Sequence, residues 1–212
     1  MKEALLKAVD QRYTPLAGSC CSLSCGGALD YAQAQVGEVG LDLGCGRGND
    51  VIRLAGQVGS TGFAWGLDLS EGMVEKARKN LEKFGVSNAR IVQGDLEKLQ
   101  FENESVHVVI SNCVLNHAHN KNEVWKEIFR VLAPGGRFVV SDIYSVKAVP
   151  EVYRDDPAAV AECWAGSVER DVYLNQVTSA GFQKIDILDE SQPYAKAKIE
   201  VVSWTLRGWK AP

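Results

Sequence analysis

The stretch Val39-Gly40-Leu41-Asp42-Leu43 runs straight into Gly44-Cys45-Gly46-Arg47-Gly48, an apolar segment of strand length ending in three glycines spaced one residue apart. A helical pattern follows at about Asn49 to Val58, so the glycines must turn a strand tightly into a helix, which is the start of a parallel sheet. The alternation then repeats. Phe63 to Asp68 reads as a strand, Ser70 caps a helix from Glu71 to about Phe84, and Ala89 to Gln93 is a third strand. Val106 to Ser111 has the β-branched run of a strand buried on both faces, and Lys121 to Leu132 is an amphipathic helix stopped by Pro134-Gly135-Gly136. Arg137 to Asp142 is a fifth strand. Ala158 to Ala180 reads as one or two helices ended at Gly181, and Gln183 to Leu188 and Lys198 to Leu206 close the chain as an antiparallel pair.

The expected architecture is therefore α/β, a Rossmann-like, doubly wound and mostly parallel seven-stranded sheet with a C-terminal antiparallel hairpin. It occupies residues 38–212. Residues 1–37, with a short helix from Ala28 to Gln35, form an N-terminal cap or lid. Ligands of such sheets gather beyond the C-terminal strand ends where strand order reverses, here beside the first strand. At 212 residues and 46% hydrophobic content the chain can bury its own core, which excludes disorder, collagen and coiled coil. The net charge of -4, with no lysine-rich block, argues against nucleic acid and anionic membrane as partners. Residues 1–10 lack a signal-peptide pattern and no later run approaches a membrane span, so the expected location is cytoplasmic. The six cysteines are then no export-type disulfide frame; Cys20, Cys21 and Cys25 cluster, while Cys45, Cys113 and Cys163 stand singly.

A pyrophosphate loop needs Gly-x-Gly-x-x-Gly, whereas this turn is Gly-x-Gly-x-Gly with Asp42 two residues ahead, placed to accept from an amino group or to shape the loop. Asp68 ends the second strand, where a carboxylate can take two ribose hydroxyls. Asp95 in Gly94-Asp95-Leu96 follows the third, where it can accept from an adenine amino group. The implied ligand has adenine, ribose and a zwitterionic tail without phosphates. Cys45 lies inside the loop and is read as a small side chain tucked under a turn.

On Asp42 to Gly48, Gly66-Leu67-Asp68-Leu69-Ser70, Gly94-Asp95 and Leu132-Ala133-Pro134-Gly135-Gly136, the chain resembles the class I S-adenosylmethionine-dependent methyltransferases. The resemblance implies that Asp42, Gly44, Gly46, Gly48, Asp68, Leu69, Asp95, Leu96 and Asn112 bind that cofactor. Ser111-Asn112-Cys113-Val114-Leu115-Asn116, Phe129-Arg130-Val131-Leu132, Ser141-Asp142-Ile143-Tyr144, Pro150-Glu151 and Glu162-Cys163 are similar to the arsenite methyltransferases in particular. That likeness continues through Gly181-Phe182 to Val202-Ser203. It implies that Cys113 and Cys163 bind trivalent arsenic and that N-terminal cysteines supply a further thiolate. By order, Cys25 matches the cysteine nearer the first strand, and Cys20 or Cys21 the more N-terminal pair. The chemistry agrees with such a role. Soft thiolates select thiophilic centres, and a trivalent centre keeps a lone pair that can attack a sulfonium methyl, so orientation and desolvation matter more than a general base. A thiol reductant is the implied co-reactant.

Two other readings compete. His117 or His119 can serve as base for methylation of a small organic acceptor such as a quinone precursor, although a polar loop with no catalytic histidine is the favoured reading of Asn116-His117-Ala118-His119-Asn120. A non-catalytic module that binds a metalloid or senses redox state is the other. A zinc site at Cys20, Cys21 and Cys25 lacks the usual two-residue gap of a knuckle.

Overall fold

The structure is a computed structural model that describes residues 1–19 and 26–212. Helix α1 (Lys2–Tyr13) and a 3-10 turn (Pro15–Gly18) open the chain, and α2 (Ala28–Ala32) leads to β1 (Val39–Leu43). Next come α3 (Asn49–Val58), β2 (Phe63–Asp68), α4 (Glu71–Lys83), β3 (Ala89–Gln93) and β4 (Val106–Asn112). A 3-10 turn (Leu115–His117), α5 (Lys121–Val131) and β5 (Leu132–Ser145) follow. The short α6 (Glu151–Arg154) and α7 (Pro157–Val160), a 3-10 turn (Trp164–Gly166) and α8 (Arg170–Ser179) precede β6 (Gln183–Glu190), β7 (Tyr194–Lys196) and β8 (Ile199–Trp209).

The strands form one sheet in the order β3-β2-β1-β4-β5-β8-β6, with β7 paired to β8. Strands β1 to β5 are parallel and β8 runs antiparallel to both β5 and β6. Strand order therefore reverses at β1, and the crevice lies beyond Leu43, as expected from the glycine turn. The seven expected strands are all present. An eighth, β7, arises because Ala197 takes a positive φ of 53° and folds Lys196 back onto Ile199.

Burial explains the layers. Val108, Val109 and Ile110 of β4 are all buried, the mark of a strand covered on both faces. On one face Trp125, Phe138, Phe182, Tyr173 and Trp204 form a chain of edge-on ring contacts; on the other, Val51, Leu54 and Val58 of α3 pack with Val74, Ala77 and Leu81 of α4.

Three boundaries depart from the sequence pattern. Helix α2 ends at Ala32 rather than Gln35, because Gln33 turns left-handed at φ 49°. Strand β5 begins at Leu132 rather than after the Pro134-Gly135-Gly136 stop, since buried Leu132 pairs in parallel with Val106 as soon as α5 ends. The helical span after β5 is broken at Cys163, whose φ of 74° no helix can carry.

Candidate functional site

The glycine turn is built from the backbone outward. Gly44 and Cys45 both donate their N–H to the Leu67 carbonyl, at 2.7 and 3.0 Å, which ties the end of β1 to the end of β2. Gly44, Gly46 and Gly48 all have positive φ, at 67°, 52° and 79°. At Gly44 a Cβ would collide with the Val114 side chain, whereas at Gly46 it would meet nothing and would project into open space. Gly44→Ala is therefore expected to lower the unfolding free energy by about 2–3 kcal/mol, the sum of a left-handed alanine and a steric shift. Urea denaturation of the two proteins checks it, and equal midpoints would contradict the geometry.

The open face of Gly46 belongs to a cavity of about 350 Å3 beyond the sheet. Its wall includes Gly44, Gly46, Asp68, Leu69, Asp95, Leu96, Asn112, Cys113 and Cys163, so nine of the residues singled out in the sequence meet there. Asp42 and Gly48 are not on that wall. Asp42 is 3% exposed within β1, and burial, with Asp50 and Asp68 nearby, pushes its carboxyl well up. Gly48 starts α3. Asp68 accepts from Gly46 N–H at 2.8 Å and from Ser70 N–H at 2.9 Å; burial leaves its carboxyl raised, although these backbone donors oppose the shift. Asp95 accepts from Glu97 N–H at 2.9 Å and is paired with Lys2 Nζ at 2.8 Å. Asn112 is held from both ends, donating to Asp50 at 3.0 Å and accepting from Ala28 N–H at 3.1 Å.

Helix α1 covers this cavity with Leu6, Val9, Arg12 and Tyr13, which the sequence pattern did not mark. Lys2 to Asp95 and Glu97, Arg12 to Glu162 and Thr14 to Ser70 fasten the N-terminal segment down. Lys196, from β7, is a further wall residue that sequence reasoning missed.

Cys113 and Cys163 come from segments fifty residues apart. Cys113 follows β4 directly and its N–H donates to the Ser141 carbonyl at 2.8 Å. The Cys163 Sγ lies 3.7 Å from the Cys113 carbonyl and 3.9 Å from Asp142 Oδ1. Both cysteines have positive φ, 54° and 74°, an uncommon conformation outside glycine that surrounding contacts must enforce. Cys113 also lines a second cavity, of about 380 Å3, together with Gly26, Gly27, Ser141 and Asp142. Cys20, Cys21 and Cys25 lie outside the described residues. Cys45 is buried under the turn, and burial pushes its thiol well up, which fits a structural side chain.

His117 lines the cavity but is not set up as a base. Nδ1 lies 3.0 Å from the Val160 carbonyl, which can only accept, so Nδ1 carries the proton. Nε2 is then the acceptor for the Tyr13 hydroxyl at 3.2 Å. Burial holds the imidazole down at about 4, from an ordinary 6.5, and pushes the Tyr13 hydroxyl up to about 12. Between those two histidine values the unfolded chain binds a proton that the folded chain refuses, so stability falls as the pH drops. From pH 7.5 to 5 the parent should lose about 2 kcal/mol more than His117→Gln, by urea melts at both pH values. Asp142, raised by burial to about 6, contributes the opposite trend in both proteins and so cancels in the comparison. Parallel losses would show that His117 is not buried neutral. His119 lines a different cavity. Among the described residues no group of three or more His, Cys, Asp and Glu could hold a metal ion, and no helix is long and apolar enough to cross a membrane.

Comparisons with known proteins bear on the family and the fold. The arsenite methyltransferase of Halobacterium salinarum is 37% identical over 179 residues, covering 84% of this chain and 46% of that protein. The demethylmenaquinone methyltransferase of Lactococcus lactis is 42% identical over 99 residues, covering 47% of this chain and 39% of that protein. The chain thus spans less than half the length of these curated relatives. The crystal structure of an arsenic(III) S-adenosylmethionine methyltransferase from Chlamydomonas reinhardtii superposes with a TM-score of 0.75 at 28% identity, covering 99% of this chain and 74% of that one. The family profile described as a methyltransferase domain matches residues 34–202, from just before β1 into β8. With the glycine turn, the two acids and the strand order all falling within that match, the chain belongs to the methyltransferase-domain family.

Proposed function

We propose that this chain transfers a methyl group from S-adenosylmethionine to trivalent arsenic held by Cys113, Cys163 and a third thiolate from Cys20, Cys21 or Cys25, with residues 1–37 as the lid of the site. The observation that carries the reading is that Cys113 and Cys163 meet on the wall of the same cavity as Gly44, Gly46 and Asp68. The second cavity supports the N-terminal contribution, because Gly26, the neighbour of Cys25, lines it with Cys113.

The cavity suits the cofactor. Its volume falls within the roughly 300–1,000 Å3 range of small-ligand sites. The bare backbone at Gly46 leaves open space that a side chain would fill, and Asp68 and Asp95 bring acceptors but no phosphate-binding cluster. Gly44, Gly46, Asp68, Leu69, Asp95, Leu96 and Asn112 would hold it. Bound there, it would supply an electrophilic methyl on a sulfonium sulfur, with S-adenosylhomocysteine as the group that leaves when the methyl is transferred.

The rest of the chemistry belongs to the chain. Each cysteine exchanges for an arsenite hydroxyl: the S–H and As–O bonds break, the S–As bond forms and water leaves. The cysteines then orient the arsenic lone pair, while Leu6 and Val9 of α1 give the cavity an apolar wall that keeps water out. Alkylation takes arsenic formally from +3 to +5, and a small-molecule thiol reductant returns it to the trivalent state.

The test is S-adenosylhomocysteine formation with and without arsenite and a thiol reductant, with arsenic speciation of the products. Methylarsenicals formed only with arsenite are expected. Turnover with a quinol-type acceptor and none with arsenite would replace this reading with the organic-acceptor one, which the similarity to the Lactococcus lactis enzyme favours.

A further inference from the structure

His117 connects three segments that the chemistry needs to hold together. It closes the 3-10 turn Leu115–His117, four residues after Cys113. Its Nδ1–H donates to the Val160 carbonyl, and that same carbonyl accepts the backbone N–H of Cys163 at 2.9 Å. The turn that carries Cys163 in its left-handed conformation is thus pinned at one oxygen by two donors. On its other side His117 accepts from Tyr13, the last residue of α1, and the two rings stand edge-on with centroids 5.5 Å apart.

The packing follows the hydrogen bonds. Leu5 and Val9 of α1 share a buried cluster with Val160, Cys163 and Trp164. Arg12 also reaches Glu162, the neighbour of Cys163, at 3.3 Å. Beside these direct contacts, His117 is the buried side chain, 8% exposed, that hydrogen-bonds both to α1 and to the Cys163 turn. Because the imidazole stays neutral over the working pH range, donor and acceptor keep their sides.

We propose that His117 is a positioning residue that couples the seating of α1 over the cavity to the placement of the Cys163 thiol, with Nδ1–H holding the Val160 carbonyl and Nε2 receiving the Tyr13 hydroxyl. Its catalytic meaning rests on the reading of Cys163 as an acceptor thiolate. The coupling itself does not.

The Tyr13 arm can be cut from either end. Tyr13→Phe removes the hydroxyl. His117→Asn places an amide N–H near the Nδ1 position, keeping the Val160 arm while losing the Tyr13 arm. Iodoacetamide alkylation of Cys163, resolved by peptide mass spectrometry, reads local opening of its turn. Each single variant is expected to speed it about five-fold, the size of one neutral hydrogen bond. The double variant should also be about five-fold faster, because both changes cut the same arm. Arsenite KM should rise by a similar factor of about five, with kcat within about two-fold, since seating of the thiol affects capture of the substrate.

Independent effects, with the double variant about 25-fold faster, would overturn the coupling. So would unchanged alkylation at Cys163, or equal acceleration at buried Cys45, which would mean a general loosening of the fold. If the parent makes no methylarsenicals while the alkylation cycle is non-additive, the arsenic reading fails and the coupling stands.

Discussion

Cys163→Ser is expected to reduce methylarsenic formation by roughly 100-fold or more, a loss of about 3 kcal/mol in transition-state stabilisation. A hydroxyl of similar size keeps the turn but is a hard donor that does not hold trivalent arsenic. Cys113→Ser should behave alike, and the double variant should be little worse than either single one, because two thiolates on one centre act as a unit. Affinity for S-adenosylhomocysteine, measured by calorimetry, should stay within about three-fold, since neither sulfur is needed to hold it. Arsenic speciation gives the first number. A serine variant that keeps half of the parent's rate would remove Cys163 from the reaction.

Asp68→Ala should act on the other half of the site. The carboxylate accepts from the N–H groups of Gly46 and Ser70, so its loss leaves two backbone donors unsatisfied and also removes the acceptor proposed for the ribose hydroxyls. Charge-assisted hydrogen bonds contribute about 1.5–3 kcal/mol each, so affinity for S-adenosylhomocysteine should fall by roughly 100-fold. Asp68→Asn should not restore it. An amide has one oxygen, and its NH2 would face the N–H of either Gly46 or Ser70, donor against donor. Calorimetric affinity equal to the parent's would show that Asp68 shapes the turn without touching the cofactor.

The sheet was legible in the chain because its signals are local. A β-branched run such as Val106 to Ser111, a capping Ser70 and a glycine turn each declare their structure within a few residues. A cap over residues 1–37 was expected, but the helix α1 within it and its contacts were not legible. In α1 only Leu5 and Val9 are buried, too few to mark a face, and its fastening comes from partners far along the chain, such as Asp95 for Lys2 and His117 for Tyr13. For the same reason the joint at His117 could not be read from its own polar neighbourhood. The start of β5 was misplaced because Pro134 and Gly135 signal a stop locally, whereas the ladder to Val106 takes Leu132 before they act.

The left-handed backbone at Cys113 and Cys163 sets stability against the chemistry proposed for them. Glycine would adopt either conformation without the roughly 1 kcal/mol cost that a β-carbon brings. Folding alone gives no reason for a β-carbon at either turn, so the proposed arsenic site limits the chain's conformational ease there. Stabilising this protein by relaxing those two turns would work directly against its thiols, whereas the exposed faces of α4 and α8 can be altered without that conflict.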